Sequence, residues 1–141
     1  MKITVIVATH KKYRMPHEKC YLPLHVGRGI GRDIGFAGDD TGESISWKNP
    51  YYCELTGLYW MWKNVDSDYM GLVQYRRYFA GKQKGRSGDR FTRILSEKEM
   101  RGLLKDNDII LPKKRKYYIE SLYTIMRTPI MRNIWIVPEK S

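Results

Sequence analysis

The sequence predicts an α/β fold in which helices flank a mostly parallel central sheet. Two short runs, residues 3–8 and 69–73, are apolar almost throughout. Such runs are typical of buried parallel strands that are covered on both faces. Residues 49–64 lie between them and carry the periodicity of an amphipathic helix. At 141 residues, with 42% hydrophobic residues, the chain suffices for one domain at most.

The first strand is followed by the polar and basic residues Thr9, His10 and Lys11. In nucleotide-binding α/β folds, the ligand lies at the carboxyl ends of the strands. These three residues are therefore candidate ligand contacts, although each of them also suits an ordinary solvated loop.

Residues 13–48 are predicted to be irregular, because Pro16, Pro23 and six glycines exclude a long helix. Within this segment, Asp39 and Asp40 stand in the run Gly-Asp-Asp-Thr-Gly. Adjacent carboxylates bind ribose hydroxyls or a divalent cation. Asp and Gly also form turns without any ligand, so both interpretations stay open.

Residues 49–64 give the clearest helix prediction. Asn49 suits the N-cap and Pro50 the first helical position. On a second face of this helix, Gly57 would let a neighbouring element approach closely. Glu54 is the polar residue on the same face; it is either a catalytic candidate or an ordinary solvated carboxylate. An apolar stripe that is predicted to pack on the sheet consists of Tyr51, Leu55, Leu58 and Trp62.

The strand predicted over residues 69–75 ends in an unusual sequence, Gln74-Tyr-Arg-Arg-Tyr-Phe79. Successive strand residues point to opposite faces, so Arg76 and Arg77 cannot both enter the core. Paired arginines at a strand end favour an anionic ligand such as phosphate. A solvated strand end, with arginines lying over aromatic rings, fits equally well.

Three local patterns complete the prediction. Asp66-Ser-Asp68 resembles a metal-binding D-x-D motif, but it precedes its strand, which favours a turn. Ser96 and Glu99 form a capping box, which predicts a short helix. Residues 108–112 predict another short buried strand.

The chain is strongly basic, with a net charge of +11. Residues 76–116 hold 14 Lys and Arg against 5 Asp and Glu. Such a block favours phosphates, nucleic acid or an anionic membrane surface. The alternative function on these grounds is a basic nucleic-acid-binding module without catalytic activity. Only two cysteines, Cys20 and Cys53, are present, and no apolar run spans a bilayer; a cytoplasmic location is therefore expected.

Five ordered blocks resemble a bacterial family of capsular and exopolysaccharide glycosyltransferases, DUF4422. They are Lys2-Ile-Thr-Val-Ile-Val-Ala-Thr-His-Lys11, Tyr21-Leu-Pro-Leu-His-Val-Gly27, Gly38-Asp-Asp-Thr-Gly-Glu-Ser-Ile-Ser46, Asn49-Pro-Tyr-Tyr-Cys-Glu-Leu-Thr-Gly-Leu-Tyr-Trp60 and Gly71-Leu-Val-Gln-Tyr-Arg-Arg-Tyr-Phe79. The resemblance covers residues 1–123. One departure is Gln74, where the family usually has histidine.

The resemblance implies a partial nucleotide-diphospho-sugar transferase (GT-A-like) fold and transfer of a sugar from a nucleotide-sugar to a lipid-linked or polysaccharide acceptor. It implies capsular, exopolysaccharide or lipopolysaccharide biosynthesis, with peripheral contact at the inner membrane face. The cofactor is left unknown apart from the nucleotide-sugar donor; no metal ligand is assigned, and a divalent cation stays an alternative that is not indicated. Glu54 and Gln74 are the candidate catalytic residues, and the base towards the acceptor hydroxyl is either Glu54 or a carboxylate beyond the matched region. The implied donor-binding residues are Thr9, His10, Lys11, Asp39, Asp40, Arg76 and Arg77.

The end of the chain departs from the family pattern after Tyr123. Relatives continue with a segment in which His-Tyr-Ala occurs twice, five residues apart, whereas this chain has Ile-Met-Arg at 125–127 and again at 130–132. The codons CAT-TAT-GCG, read one base later, give Ile-Met-Arg. We therefore expect residues 1–123 to be the amino-terminal part of a glycosyltransferase domain and residues 124–141 to be an out-of-frame tail.

This frameshift hypothesis predicts the nucleotide sequence. Reading the alternative frame past codon 123 is expected to restore His-Tyr-Ala-His-Thr-His-Tyr and then a long open frame. The 141-residue chain alone is expected to show little or no transferase activity. Immediate closure of the alternative frame, or sugar transfer at an ordinary enzyme rate, would contradict the hypothesis.

Overall fold

The computed structural model of the chain describes residues 1–82 and 88–113. Residues 1–106 form one compact unit, and residues 107–141 group separately. The predicted boundary after Tyr123 and the predicted tail 124–141 lie outside the described residues.

The centre of the first unit is a sheet of four parallel strands in the order β3-β2-β1-β4. The strands are β1 (Ile3–Thr9), β2 (Tyr21–His25), β3 (Ala37–Gly38) and β4 (Tyr69–Gln74). This arrangement confirms the predicted α/β class with a parallel central sheet. Because the strands are parallel, all four carboxyl ends meet at one edge of the sheet.

The strands β2 and β3 lie within residues 13–48, where the sequence predicted only irregular structure, so this prediction was wrong. Pro23 excluded a long helix, as predicted, but it lies within β2 and pairs in register with Val7 of β1. The neighbour on the other side, β3, pairs only with Leu24 and His25. Pro23 has no N–H to donate, but β3 does not extend as far as Pro23, so no hydrogen bond between β2 and β3 is lost there.

The predicted helix over residues 49–64 is divided in two by Cys53, which has a positive φ of 49°. The pieces are α1 (Asn49–Tyr52) and α2 (Leu55–Asn64). Asn49 is the first helical residue rather than the N-cap, which is Lys48. A non-glycine residue with positive φ is uncommon, and it changes the direction of the chain between the two pieces.

The interruption also overturns part of the predicted apolar stripe, of which Leu58 does pack against the core. Tyr51 is 85% exposed and Trp62 is 63% exposed, so neither packs on the sheet. The buried face of α2 is instead formed by Thr56, Gly57 and Met61. The prediction of close approach at Gly57 is confirmed, because a Cβ there would lie 2.6 Å from Val26 Cγ1. The core against which α2 packs consists of Ile6, Ala8, Leu24, Val26 and Met61.

The segment after β4 returns to the sheet. Ala80 and Ile94 form an antiparallel bridge, and the hydroxyl of Tyr21 donates to the carbonyl oxygen of Leu95 at 2.6 Å. The helix α3 (Glu97–Leu103) follows, and its predicted capping box of Ser96 and Glu99 is confirmed.

Two other local predictions concern connecting segments. Residues 66–68 form an irregular connection with a bend at Asp68 rather than the predicted turn, and Asp68 Oδ2 accepts the backbone N–H of Lys2 at 2.6 Å. This contact lies at the amino ends of β1 and β4, the edge opposite to the strands' carboxyl ends. The strand predicted over residues 108–112 is wrong, because this segment is irregular and Ile109 is exposed. An apolar run becomes a strand only where a neighbouring strand pairs with it.

Substitution of two glycines, one in α2 and a control in α3, tests the packing of α2. Gly57→Ala is expected to lower the free energy of unfolding by about 1–3 kcal/mol, since the new methyl group meets Val26, Leu24 and Ile6. Gly102→Ala in α3 is the control, because a Cβ there meets nothing within 4 Å. That change should be neutral or stabilise by about 0.5–1 kcal/mol. Urea denaturation measures both, and equal effects would contradict the packing described here.

Candidate functional site at the carboxyl ends of the strands

The end of β1 carries three of the predicted ligand contacts. Thr9 is buried, and its Oγ1 donates to the carbonyl oxygen of Lys11 at 2.6 Å and accepts the Lys11 N–H at 3.1 Å. This local turn leaves His10 and Lys11 exposed at the edge of the sheet. Thr9 therefore shapes the turn, while the next two side chains face solvent.

The two residues predicted to be catalytic are in direct contact. Gln74 is the last residue of β4, and its Nε2 donates to Glu54 Oε1 at 2.9 Å. Glu54 reaches this position because it follows the positive-φ residue Cys53 and directly precedes α2. Among the described residues, the Glu54 carboxylate forms no other hydrogen bond in the structure.

His10 stands close to this pair. Burial lowers the pKa of His10 below its usual value, and the positive charges of Lys11 and Arg76 lower it further, while the Glu54 carboxylate opposes them. His10 is therefore mainly neutral at pH 7. Its ring also contacts the ring of Tyr75 edge-on, with centroids 5.6 Å apart.

The chain turns back sharply after β4. Arg77 N donates to the Gln74 carbonyl oxygen at 2.8 Å, and Gln74 N donates to the Arg77 carbonyl oxygen at 3.2 Å. Tyr75 and Arg76 form the tip of this turn. The Arg76 guanidinium lies 5.3 Å from the centroid of the Tyr75 ring. Both predicted arginines are exposed, and the turn holds Arg76 beside His10 and Gln74.

Asp39 has a different position from the one that a ligand contact requires. It is 0% exposed. Its Oδ2 accepts the Gly27 N–H at 2.9 Å and the Thr56 hydroxyl at 2.6 Å. Its Oδ1 accepts the Arg28 N–H at 3.2 Å and the Ser46 hydroxyl. Both oxygens are thus used within the chain, and Asp39 fastens the loop after β2 to the start of α2.

The neighbouring Asp40 is exposed, and its carboxylate lies 3.8 Å from the Arg28 guanidinium. The structure therefore separates the two adjacent aspartates, one inside the loop and one on its surface. It gathers Glu54, Gln74, His10 and Arg76 at one place.

His25 is a buried polar residue that the sequence analysis did not single out. It ends β2, pairs in register with Thr9 and is 3% exposed. Its Nδ1 has no hydrogen-bond partner among the described residues. Within residues 1–82 and 88–113, no three His, Cys, Asp or Glu side chains gather in a way that would hold a metal ion.

An aromatic cleft of about 220 Å³ lies next to the turn after β4. The aromatic residues of the turn were evident from the sequence, but their partners from distant segments were not. The sequence signal for these partners was a ring between two arginines, Arg90-Phe-Thr-Arg93. The cleft is lined by Tyr13, Tyr75, Arg76, Tyr78, Phe79, Ala80, Arg90, Phe91, Arg93 and Ile94.

The parallel sheet, with polar groups gathered at the carboxyl ends of β1 and β4, defines a partial GT-A-like α/β fold. The chain belongs to the DUF4422 family: the model of this family, described as a domain of unknown function, matches residues 4–134. The match thus continues past Tyr123, where the resemblance noted from the sequence ended, and the boundary proposed there stays a prediction.

A solved structure, titled as the apo structure of the bifunctional glycosyltransferase WbbM, is similar to the chain. The two are 40% identical, with a TM-score of 0.56. The similarity covers 64% of this chain and 16% of that one, so this chain spans only a small part of WbbM. None of the curated proteins matches the chain. In the described part of the chain, no helix has the length and apolar character needed to cross a membrane.

The two adjacent aspartates give a matched test of the loop. Asp39→Ala is expected to lower the free energy of unfolding by about 3 kcal/mol or more, because three buried donors and one partly buried donor lose their acceptor. Asp40→Ala removes only a half-exposed ion pair at 3.8 Å and should cost less than about 1 kcal/mol. Chemical denaturation of both variants measures the difference. Similar losses would show that Asp39 does not hold the loop.

Proposed function

We propose that this chain is the donor-binding part of a glycosyltransferase that moves a sugar from a nucleotide-sugar to a glycan acceptor. Two findings support the proposal: the family membership, and 40% identity to a structure whose title names a bifunctional glycosyltransferase. The observation that carries it is the hydrogen bond between Gln74 and Glu54 at the carboxyl ends of the strands.

The proposed chemistry assigns a role to each member of this pair. An acceptor hydroxyl oxygen forms a bond to the anomeric carbon of the sugar, and the bond from that carbon to the diphosphate oxygen breaks. The nucleoside diphosphate leaves, and the acceptor proton passes to the Glu54 carboxylate as general base. Gln74 holds this carboxylate in place through its amide N–H, since glutamine does not titrate.

Cationic and polar groups beside the pair would bind the donor. Arg76, Arg77 and Lys11 are exposed there, and the guanidinium groups suit the charge that develops on the leaving diphosphate. His10, neutral at pH 7, offers a hydrogen bond rather than a charge. Thr9 contributes by shaping the turn that presents His10 and Lys11.

The two aspartates take different parts in this proposal. Asp40 is the exposed carboxylate and would contact the donor ribose from the loop surface. Asp39 acts through other residues: it holds Thr56, two residues after Glu54 in the chain, and so positions the amino end of α2.

The proposed setting is capsular, exopolysaccharide or lipopolysaccharide biosynthesis with a lipid-linked or polysaccharide acceptor. The surplus of Lys and Arg over residues 76–116 fits a peripheral position at an anionic inner membrane face. A chain in that position would meet an acceptor that is carried on a lipid.

Donor binding is the test of this proposal. Calorimetric titration with a panel of nucleoside diphosphates and their sugars should detect binding to the full chain. Arg76→Ala should weaken it by about 1.5–3 kcal/mol, the range of charge-assisted hydrogen bonds. Lys98→Ala on α3 removes the same charge away from the site and should leave the affinity unchanged.

An unchanged dissociation constant for Arg76→Ala would contradict the proposed donor site. Absence of nucleotide binding, combined with salt-dependent retention on DNA, would instead favour the nucleic-acid-binding alternative.

A further inference from the structure

We propose that the aromatic cleft binds a negatively charged sugar unit of the acceptor, beside the Glu54–Gln74 pair. This inference rests on the proposed glycosyltransferase function and names its acceptor class. It depends on four features of the cleft: its aromatic walls, its unpaired cations, one buried hydroxyl group and its shared boundary with the donor site.

The walls of the cleft are aromatic rings from distant parts of the chain. The rings of Tyr13 and Tyr75 are 5.2 Å apart, and those of Tyr78 and Phe91 are 6.0 Å apart. A sugar ring presents an apolar face of C–H groups, and burying that face against aromatic rings is favourable. The volume of about 220 Å³ lies below the roughly 300 Å³ at which pockets for drug-sized ligands begin. It therefore suits one sugar unit rather than a complete nucleotide-sugar.

The charge of the cleft is entirely positive. Arg76, Arg90 and Arg93 line it, and among residues 1–82 and 88–113 no Asp or Glu does. Within the described part of the chain, none of these three guanidinium groups forms an ion pair. Unpaired arginines recognise carboxylate or phosphate oxygens, so the ligand carries an anionic substituent.

The nearest competing carboxylate is already neutralised. Asp89 precedes Arg90 and accepts a hydrogen bond from Arg14 at 2.7 Å. The same Arg14 guanidinium lies 4.2 Å from the centroid of the Phe91 ring. Arg14 therefore holds Asp89 and covers one face of Phe91.

One polar group in the cleft lacks a partner. Tyr78 lines the cleft, and its buried hydroxyl group has no hydrogen-bond partner among the described residues. Burial raises the pKa of Tyr78 to about 12, so this hydroxyl keeps its proton at neutral pH. Because this hydroxyl is closed off from solvent, a sugar hydroxyl group would reach it only after a movement of the Tyr78 side chain, and the pairing would then remove the cost of an unsatisfied buried group.

The cleft shares a wall with the proposed donor site. Tyr75 contacts His10 on the donor side and Tyr13 in the cleft. Arg76, at the tip of the same turn, also lines the cleft. A sugar bound there would thus lie across the Tyr75 ring from His10, the residue that stands close to the Glu54 carboxylate.

The test uses glucose 1-phosphate as the probe for a sugar with an anionic group, with glucose and inorganic phosphate as the two partial ligands. Saturation-transfer NMR on the full chain should show contact with the sugar ring protons of glucose 1-phosphate. Each partial ligand should bind at least about tenfold more weakly than glucose 1-phosphate, since each lacks one of the two interactions. UDP should leave the binding of glucose 1-phosphate in place.

Two variants locate the binding. Arg93→Ala and Phe91→Leu should each lower the affinity for glucose 1-phosphate about tenfold, the first through loss of the charge and the second through loss of the ring. Both should leave UDP affinity unchanged. Lys98→Ala is the matched charge control and should change neither affinity. Phe91→Leu keeps an apolar side chain in place, and thermal unfolding verifies that it folds.

Three results would overturn this inference. They are displacement of glucose 1-phosphate by UDP, equal binding of inorganic phosphate alone, and unchanged binding in Phe91→Leu. None of these results contradicts the proposed donor site if Arg76→Ala still lowers the affinity for UDP. Loss of UDP binding to the unmodified chain would instead contradict the proposed function itself.

Discussion

The buried carboxylate of Asp39 is the interaction on which the site depends. A charge in the interior costs several kcal/mol unless hydrogen bonds compensate it, and here four donors surround one carboxylate. These donors come from the loop after β2, from Ser46 and from α2, three segments that the sheet alone does not connect. By joining them, Asp39 determines where α2 begins. The beginning of α2 in turn determines where Glu54 lies, and therefore whether its carboxylate can meet Gln74.

The interruption at Cys53 and the close packing at Gly57 complete this arrangement. In a continuous helix over residues 49–64, Glu54 would lie in the middle of the helix rather than at one of its ends. The positive φ of Cys53 instead ends α1 and leaves Glu54 as the N-cap of α2, at the end nearest to the carboxyl edge of the sheet. Gly57 then lets the backbone of α2 approach Val26, Leu24 and Ile6. The helix is therefore held close to the strands that present the site.

The sequence predicted those elements of the fold that are determined by interactions between residues close together in the chain. The strands β1 and β4 were recognisable from their apolar runs, and α3 from its capping box. The meeting of Glu54 and Gln74 was not predictable from spacing, although both were selected as candidates. The strands β2 and β3 were missed because the pairing of β2 with β1, and of β3 with β2, outweighs the local effects of Pro23 and glycine. Asp39 looked like an exposed ligand contact, since its four donors are far away in sequence. For the same reason the cleft was missed, as its walls join Tyr13 to Phe91.

The position of Tyr75 would link the two proposed binding events, which would otherwise be independent. Its ring separates His10 from Tyr13, and it is almost fully buried, with little room to adjust on one side alone. A ligand that shifts this ring from either side changes the shape offered to a ligand on the other side. Thermodynamic linkage requires the two effects on affinity to be equal, whichever ligand arrives first. A single tyrosine would in this way make the two substrates of the proposed reaction cooperative, with no moving domain or loop needed to couple them.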